Sequence, residues 1–175
     1  MHWLASAAAA DILQRVAAAD VWTSLEKISA ETTVSRLLHV ASAELAAHSD
    51  AARVSVSRVI GDLLVELSNH DRDGLESPLE LFLVTDYPLT QEVIEAGEPR
   101  VVLRGAPDAD PAEANLLERL GFASLLMLPL RSRGQNWGLV EIYSDEDGFS
   151  EQEIATATAI VESVGDRLAL LESRV

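Results

Sequence analysis

Ser124-Leu125-Leu126-Met127-Leu128-Pro129-Leu130, the turn Arg133-Gly134-Gln135-Asn136, Gly138-Leu139-Val140-Glu141-Ile142-Tyr143 and then Phe149-Ser150-Glu151 form the stretch that decides the fold. Two apolar runs of strand length joined by a short polar glycine turn read as a hairpin. Strand alternation puts Val140 and Ile142 on one face of a sheet and Leu139, Glu141 and Tyr143 on the other. The all-apolar face suits a covering layer of helices. The face bearing Glu141 and Tyr143 suits a cavity with a few polar groups, as small-molecule sites prefer. Ser150 and Glu153 then make a capping box, with Phe149 and Ile154 placed as a hydrophobic staple. A helix therefore starts at Ser150 and runs to about Ser173, with Gly165 as its only interior glycine.

Upstream, the same periodicity repeats. Val54, Val56 and Arg58 alternate with Ser55, Ser57 and Val59, Gly61-Asp62 marks a turn, and Leu63, Val65 and Leu67 alternate on the return. Residues 69–74 read as a polar loop and Leu79 to Val84 as a short strand. Tyr87-Pro88 leads into a helix over Thr90 to Ala96, closed by Gly97. Pro99 to Arg104 is a further strand. Asp110-Pro111-Ala112-Glu113 is a complete helix start: Asp110 caps, Pro111 takes the first turn, and Glu113 is expected to reach back to the capping amide. That helix ends at Gly121. From His2 to Ala52 there is neither Gly nor Pro. A helix is expected from Trp3 to about Ile28, a break at Ser29 to Thr33, and a second helix with Val34, Leu37, Leu38, Ala41 and Leu45 at helical spacing. Hairpins at both ends of the strand set, without regular βαβ alternation, predict an α+β fold with a largely antiparallel sheet.

Composition narrows the functional classes. A chain of 175 residues fits one domain, able to bury roughly 70% of its unfolded surface. Zero cysteines leave no disulfide framework, thiolate zinc site or cysteine nucleophile. A formal charge of −16 repels nucleic-acid phosphates and anionic membranes, so neither is an expected partner. No signal peptide or membrane-length apolar run is present, and the expected location is the cytoplasm.

The order of elements resembles the GAF domain family. The residues that carry the resemblance are Asp86-Tyr87-Pro88-Leu89-Thr90, Gly97-Glu98-Pro99, Asp108 to Glu113, Leu117 to Gly121, the Leu128-Pro129-Leu130 strand end, Gly138 to Tyr143 and Phe149-Ser150-Glu151. The resemblance covers roughly Thr33 to Glu172, and it divides the chain into a lead-in signalling helix, residues 1–30, and a GAF-like domain, residues 31–175. It implies a six-stranded, mainly antiparallel sheet with the terminal helices on one face and short helices and loops roofing the other, a GAF/PAS-like α/β architecture. It also implies a sensory domain that passes a signal to an output partner. With no room for a kinase or cyclase, the chain is expected to be a standalone regulator or part of a longer protein.

Against the chemistries of that family, the missing cysteines argue against covalent bilin attachment, thiol catalysis and thiolate-held iron–sulfur clusters, so no cofactor is expected and any ligand is non-covalent. A cyclic-nucleotide signature is half present at most, because Phe149 is followed four residues later by Glu153 and then Ile154, and Asn136 by Trp137. His39, His48 and His70 are candidates for a haem ligand and read as structural histidines instead. Asp145-Glu146-Asp147 reads as loop chemistry, with no metal expected. No Gly-x-Ser-x-Gly, His-Glu-x-x-His or phosphate-binding glycine loop occurs, so no catalytic residue is expected and the chain is read as a non-enzyme.

The ligand residues expected are Tyr87 and Thr90 at the start of the first roofing helix, Leu117 in the second, Arg104 as a bidentate partner for an anion, and Glu141 with Tyr143 on the sheet. In the last helix Ile154, Val161, Leu168 and Val175 recur at seven-residue spacing, and Ala157, Val164 and Leu171 follow three later. This a/d seam predicts a parallel homodimer through the first and last helices, with Ile154, Val161, Val164, Leu168 and Leu171 at its interface. The function expected is regulation by a non-covalently bound small molecule through that bundle. The alternative is a ligand-free dimerisation or protein-interaction module of the same fold.

Overall fold

The computed structural model describes residues 19–74 and 78–173. Helix α1 occupies residues 19–30 of the described chain, so its expected beginning at Trp3 lies outside the described residues, as does Val175. Helix α2 (Val34–Ser49) follows after a break at residues 31–33, where the Thr33 hydroxyl accepts from the Arg36 amide. The order then runs β1 (Arg53–Ile60), β2 (Leu63–Asp71), β3 (Leu81–Leu83), a 3-10 turn (Val84–Asp86), α3 (Pro88–Ala96), β4 (Arg100–Leu103), α4 (Pro111–Leu120), β5 (Ser124–Ser132), β6 (Gln135–Ser144) and α5 (Glu151–Glu172).

The six strands form one sheet in the order β3-β2-β1-β6-β5-β4, and every adjacent pair is antiparallel. The two hairpins meet at the centre, where β1 pairs with β6 and Ser55 faces Glu141 across the ladder. Helices α1, α2 and α5 cover one face. Ile28, Leu37, Leu45, Ile160 and Leu168 pack there on Val54, Val56, Leu128, Val140 and Ile142. The 3-10 turn, α3 and α4 cover the other, where Val93, Ile94 and Leu117 meet Leu64, Leu125, Met127, Leu139 and Tyr143. The alternation read from β6 is thus the alternation observed.

Pairing with β1 carries β2 through Asn69, His70 and Asp71, residues expected in a loop. Backbone hydrogen bonds to a formed neighbour outweigh the polar composition of that end. Between the pairs Val56–Ser68 and Ser57–Glu66 the register slips, leaving Leu67 as the extra residue of a bulge. The slip changes which residues share a face. Glu66 turns toward the roof, while Ser68 turns to the helices and meets the Ser42 hydroxyl at 3.1 Å.

Candidate functional site beneath the short helices

The face under α3 and α4 is apolar except for one buried polar layer. Glu141 of β6 accepts from the Tyr143 hydroxyl at 3.0 Å and from the Ser55 hydroxyl at 3.2 Å. Glu113 of α4 accepts at one oxygen from the Thr90 backbone amide, 3.2 Å, and the Thr90 hydroxyl, 2.6 Å. Thr90 lies in the first turn of α3, whose preceding residue Tyr87 offers no side-chain cap. Glu113 therefore caps α3 from a neighbouring helix, where a carboxylate also complements the positive end of the helix dipole. It does not close a capping box on its own helix as the sequence suggested: Asp110 alone receives the Ala112 and Glu113 amides.

A second group adjoins this layer on the same face. Arg53 places one guanidinium nitrogen 3.1 and 3.3 Å from the two oxygens of Glu66 and lies 3.8 Å from Asp71. Glu66 also accepts the Glu80 amide at 3.0 Å. These acidic neighbours hold the Arg53 guanidinium above its usual range despite burial.

Charge inside this layer is unevenly answered. Burial, reinforced by nearby Glu113, pushes the Glu141 carboxyl up to about 7, against the two hydroxyl bonds that favour its anion. Burial likewise raises Glu113, with the Thr90 bonds opposing. The Tyr143 phenol is held well above its ordinary value, first by burial and then by Glu141, so it stays a donor. The second oxygen of Glu113 is buried without a hydrogen-bond partner.

The residues named from the sequence are placed as follows. Tyr87, Thr90 and Glu141 line a void of about 10 Å³ together with Leu64, Phe82 and Leu116, space for about one water. The Tyr87 ring stands edge-on to Phe82 with centroids 5.8 Å apart. Leu117 and Tyr143 belong to the surrounding core cluster, and the Tyr143 ring lies 5.2 Å from that of Phe122. Arg104 is exposed in the turn after β4 and contributes nothing to the void. Arg53, Ser55, Glu66 and Glu113 complete the polar layer, and none of them is among the ligand residues expected from the sequence. Ser55 alternates with valines in β1, a visible signal, yet only the β1–β6 pairing places it opposite Glu141.

The residues read as a dimer seam are placed differently from that expectation. Val161, Val164, Leu168 and Leu171 are buried within the one chain, and Ile154 packs at the edge of the same cluster. Packing α5 on its own sheet therefore accounts for the seven-residue stripe. The outward side of the helical layer carries Trp22 and Leu170 as its exposed large apolar residues among those described. An open groove of about 530 Å³ lies between α5 and β5, flanked by Arg131, Arg133, Glu162 and Asp166. Its charges are of both signs and exposed, so they select weakly. Among the described residues no three His, Asp or Glu side chains converge as a metal site. No described helix is long and apolar enough to cross a membrane.

The sequence profile of the GAF domain matches residues 33–168. The chain belongs to the GAF domain family. No curated protein matches it by sequence. By fold, this GAF domain is similar to the chromophore-binding domain of a bacteriophytochrome from R. palustris, with a TM-score of 0.78 at 13% identity over 89% of this chain and 60% of that one. It is also similar to the photosensory core module of the Stigmatella aurantiaca phytochrome, with a TM-score of 0.79 at 14% identity over 93% of this chain and 38% of that one. The chain thus spans 60% or less of the length of these structures.

These neighbours correct the expectation that no cofactor is involved. Chromophore-binding domains share this fold, and a lack of cysteine bears on one mode of attachment rather than on cofactor binding as such. In the closed arrangement of α3 and the 3-10 turn, a void of about 10 Å³ does not fit a chromophore-sized group. Such a group enters only if the roof moves outward.

Proposed function

We propose that this GAF domain is a cytoplasmic sensory module that binds a small molecule beneath α3 and α4 and passes the event to an output partner through the helices on the other face. The observation that carries the reading is the buried polar layer itself. Thr90, Glu113, Glu141, Tyr143 and Ser55 are all within 5% of full burial, and the capping of α3 by one Glu113 oxygen accounts neither for its unpartnered second oxygen nor for the buried Glu141 carboxyl. A few convergent polar groups on an apolar wall are what a binding site requires. Residues 1–30 act in this reading as the signalling helix of the GAF domain, residues 31–175.

Transmission has a short route. Val140 and Ile142 touch the helical layer while Glu141 between them touches the roof. In this reading a shift of β6 at Glu141 reaches the helical layer through that shared cluster. Converting a 1:99 mixture of two arrangements into 99:1 requires about 10⁴-fold tighter binding to one of them, which an enclosed site supplies better than an open groove. Homodimerisation is part of the proposal and is assigned to the outer surface of α1 and α5. Light scattering at high micromolar concentration is expected to report a dimer, and a strict monomer removes this part.

Native mass spectrometry of the gently purified full chain tests the reading. A bound small molecule released on denaturation is the expected result, with Thr90→Val reducing its occupancy. One observation favours a second reading, a ligand-free dimerisation or interaction module: the void has room for about one water. No copurifying ligand, together with no stabilisation by any member of a metabolite panel, selects that reading.

A further inference from the structure

Among the described residues, two buried carboxylates of the roof layer have no cation bonded to them. The one buried guanidinium beside them among the described residues, Arg53, already faces Glu66 and Asp71. Among the described residues Glu141 is answered only by two neutral hydroxyls, and Glu113 only by Thr90. The second Glu113 oxygen, on a residue with 0% exposure, accepts nothing. Glu141 lines the void beside Leu64, Phe82, Val84 and Leu116, and Glu113 adjoins it through Thr90, which also lines it.

We infer that the roof site of this GAF domain, when α3 and the 3-10 turn move outward from the void of about 10 Å³, selects an organic cation with an apolar or aromatic body, a protonated amine, amidine or N-heterocycle, whose N–H donors pair with Glu141 and Glu113. The inference rests on the proposed ligand site and names its chemical class. Buried carboxylates without a counter-charge favour a proton or a cation, because an uncompensated charge in an apolar interior is strongly disfavoured. An anionic ligand adds a further negative charge to the same layer and meets no free cation there, since Arg104 stands outside in solvent. A hard metal ion is a poor alternative, for two carboxylates on an apolar wall do not supply its oxygen shell, and no three-residue ligand group converges among the described residues.

Proton and cation compete for Glu141, whose carboxyl sits at about 7. The groups facing it are Ser55 and Glu66 from β1 and β2, Arg53 beside Glu66, Tyr143 on its own strand and Glu113 from α4. Of these the tyrosine stays protonated and the arginine stays charged, so Glu141 and Glu113 carry the titration.

Benzamidine, benzamide and benzoate, isosteric probes of charge +1, 0 and −1, test the inference on the full chain by backbone amide NMR. Benzamidine is expected to shift the Thr90, Glu113 and Leu116 amides, to bind up to about tenfold more tightly at pH 8 than at pH 6, and to lose about tenfold or more in affinity in Glu141→Gln and in Glu113→Gln. Benzoate is expected to leave those amides unmoved. Equal binding of benzoate or benzamide at the roof overturns the cation class and leaves the roof as a ligand site. Benzamidine binding that both Gln variants retain also overturns the class. No shift at the roof amides with any probe overturns both readings.

Discussion

Glu141 occupies the middle of a strand where alternation alone says that its side chain points away from the helices. What alternation does not say is that the place it points to is closed. Two hydroxyls hold the carboxyl while burial and Glu113 raise it to about 7. In an unfolded chain the same group titrates near its ordinary value of 4.5. Between these values the folded protein keeps a proton that the unfolded chain has released. Stability from this group is therefore full below the unfolded value and is lost as pH rises through the folded one, by roughly 3 kcal/mol at most. Urea unfolding at pH 5 and pH 8 is expected to show the chain less stable at pH 8, with Glu141→Gln removing most of the difference. A residual slope of the same sign belongs to Glu113, which burial also raises. Equal slopes in the wild-type protein and in the Glu141→Gln variant contradict the assignment. Glu113 shows the limit of local reading at this scale. Its spacing from Asp110 spells a capping box, yet its carboxylate caps a different helix, because α3 starts beside it without a cap of its own.

Helix α5 was legible almost whole. Ser150 and Glu153 exchange the two bonds of a capping box, as the spacing predicts, and Ser150→Ala is expected to lower the denaturation midpoint by an amount worth about 1 kcal/mol. Gly165 carries information that the sequence hides. Taken alone, a glycine in a helix interior invites replacement by alanine, a gain of about 1 kcal/mol. A methyl group there overlaps the carbonyl oxygen of Arg131 in β5, so Gly165→Ala is expected to destabilise the domain by about 1–3 kcal/mol. Thermal unfolding decides the sign. Gly138 serves the same close approach in the sheet, its Cα facing the Ser57 carbonyl of β1. Strand β2 makes the complementary point: its last three residues look like loop and become strand only because β1 is there to pair with.

Across the whole molecule, the seven-residue stripe of α5 has a use inside one chain. Leu168 has 0% exposure and packs in the cluster shared by α1, α2, α5 and the sheet. Leu168→Ala is expected to cost about 2–5 kcal/mol of folding stability, read by chemical denaturation, with no change of oligomeric state while the protein stays folded. A folded variant of unchanged stability with an altered mass in solution places Leu168 in an interface instead. The helical layer is tied to itself by polar contacts as well. Ser24 and Lys27 of α1 both bond Glu44 of α2, and Arg167 of α5 donates to the Glu31 carbonyl at 2.7 Å. These contacts make α1, α2 and α5 one body opposite the roof, the arrangement that the proposed signalling needs.

By itself the sequence determined the order of elements, the N-caps Asp110 and Ser150, and which face of β6 is apolar, because each follows from side-chain periodicity and backbone propensity within a few residues. It also placed Tyr87, Thr90 and Glu141 on elements that come to share one void. Only the tertiary structure decided that Arg104 lies outside, that Ser55 and Glu113 lie inside, and that the heptad of α5 faces its own sheet. Those outcomes depend on strand order and on how the helices pack on the sheet, which join residues as far apart as Ser55 and Glu141. A seven-residue stripe reads the same whether its partner is a sheet of the same chain or the helix of another, and only packing tells them apart.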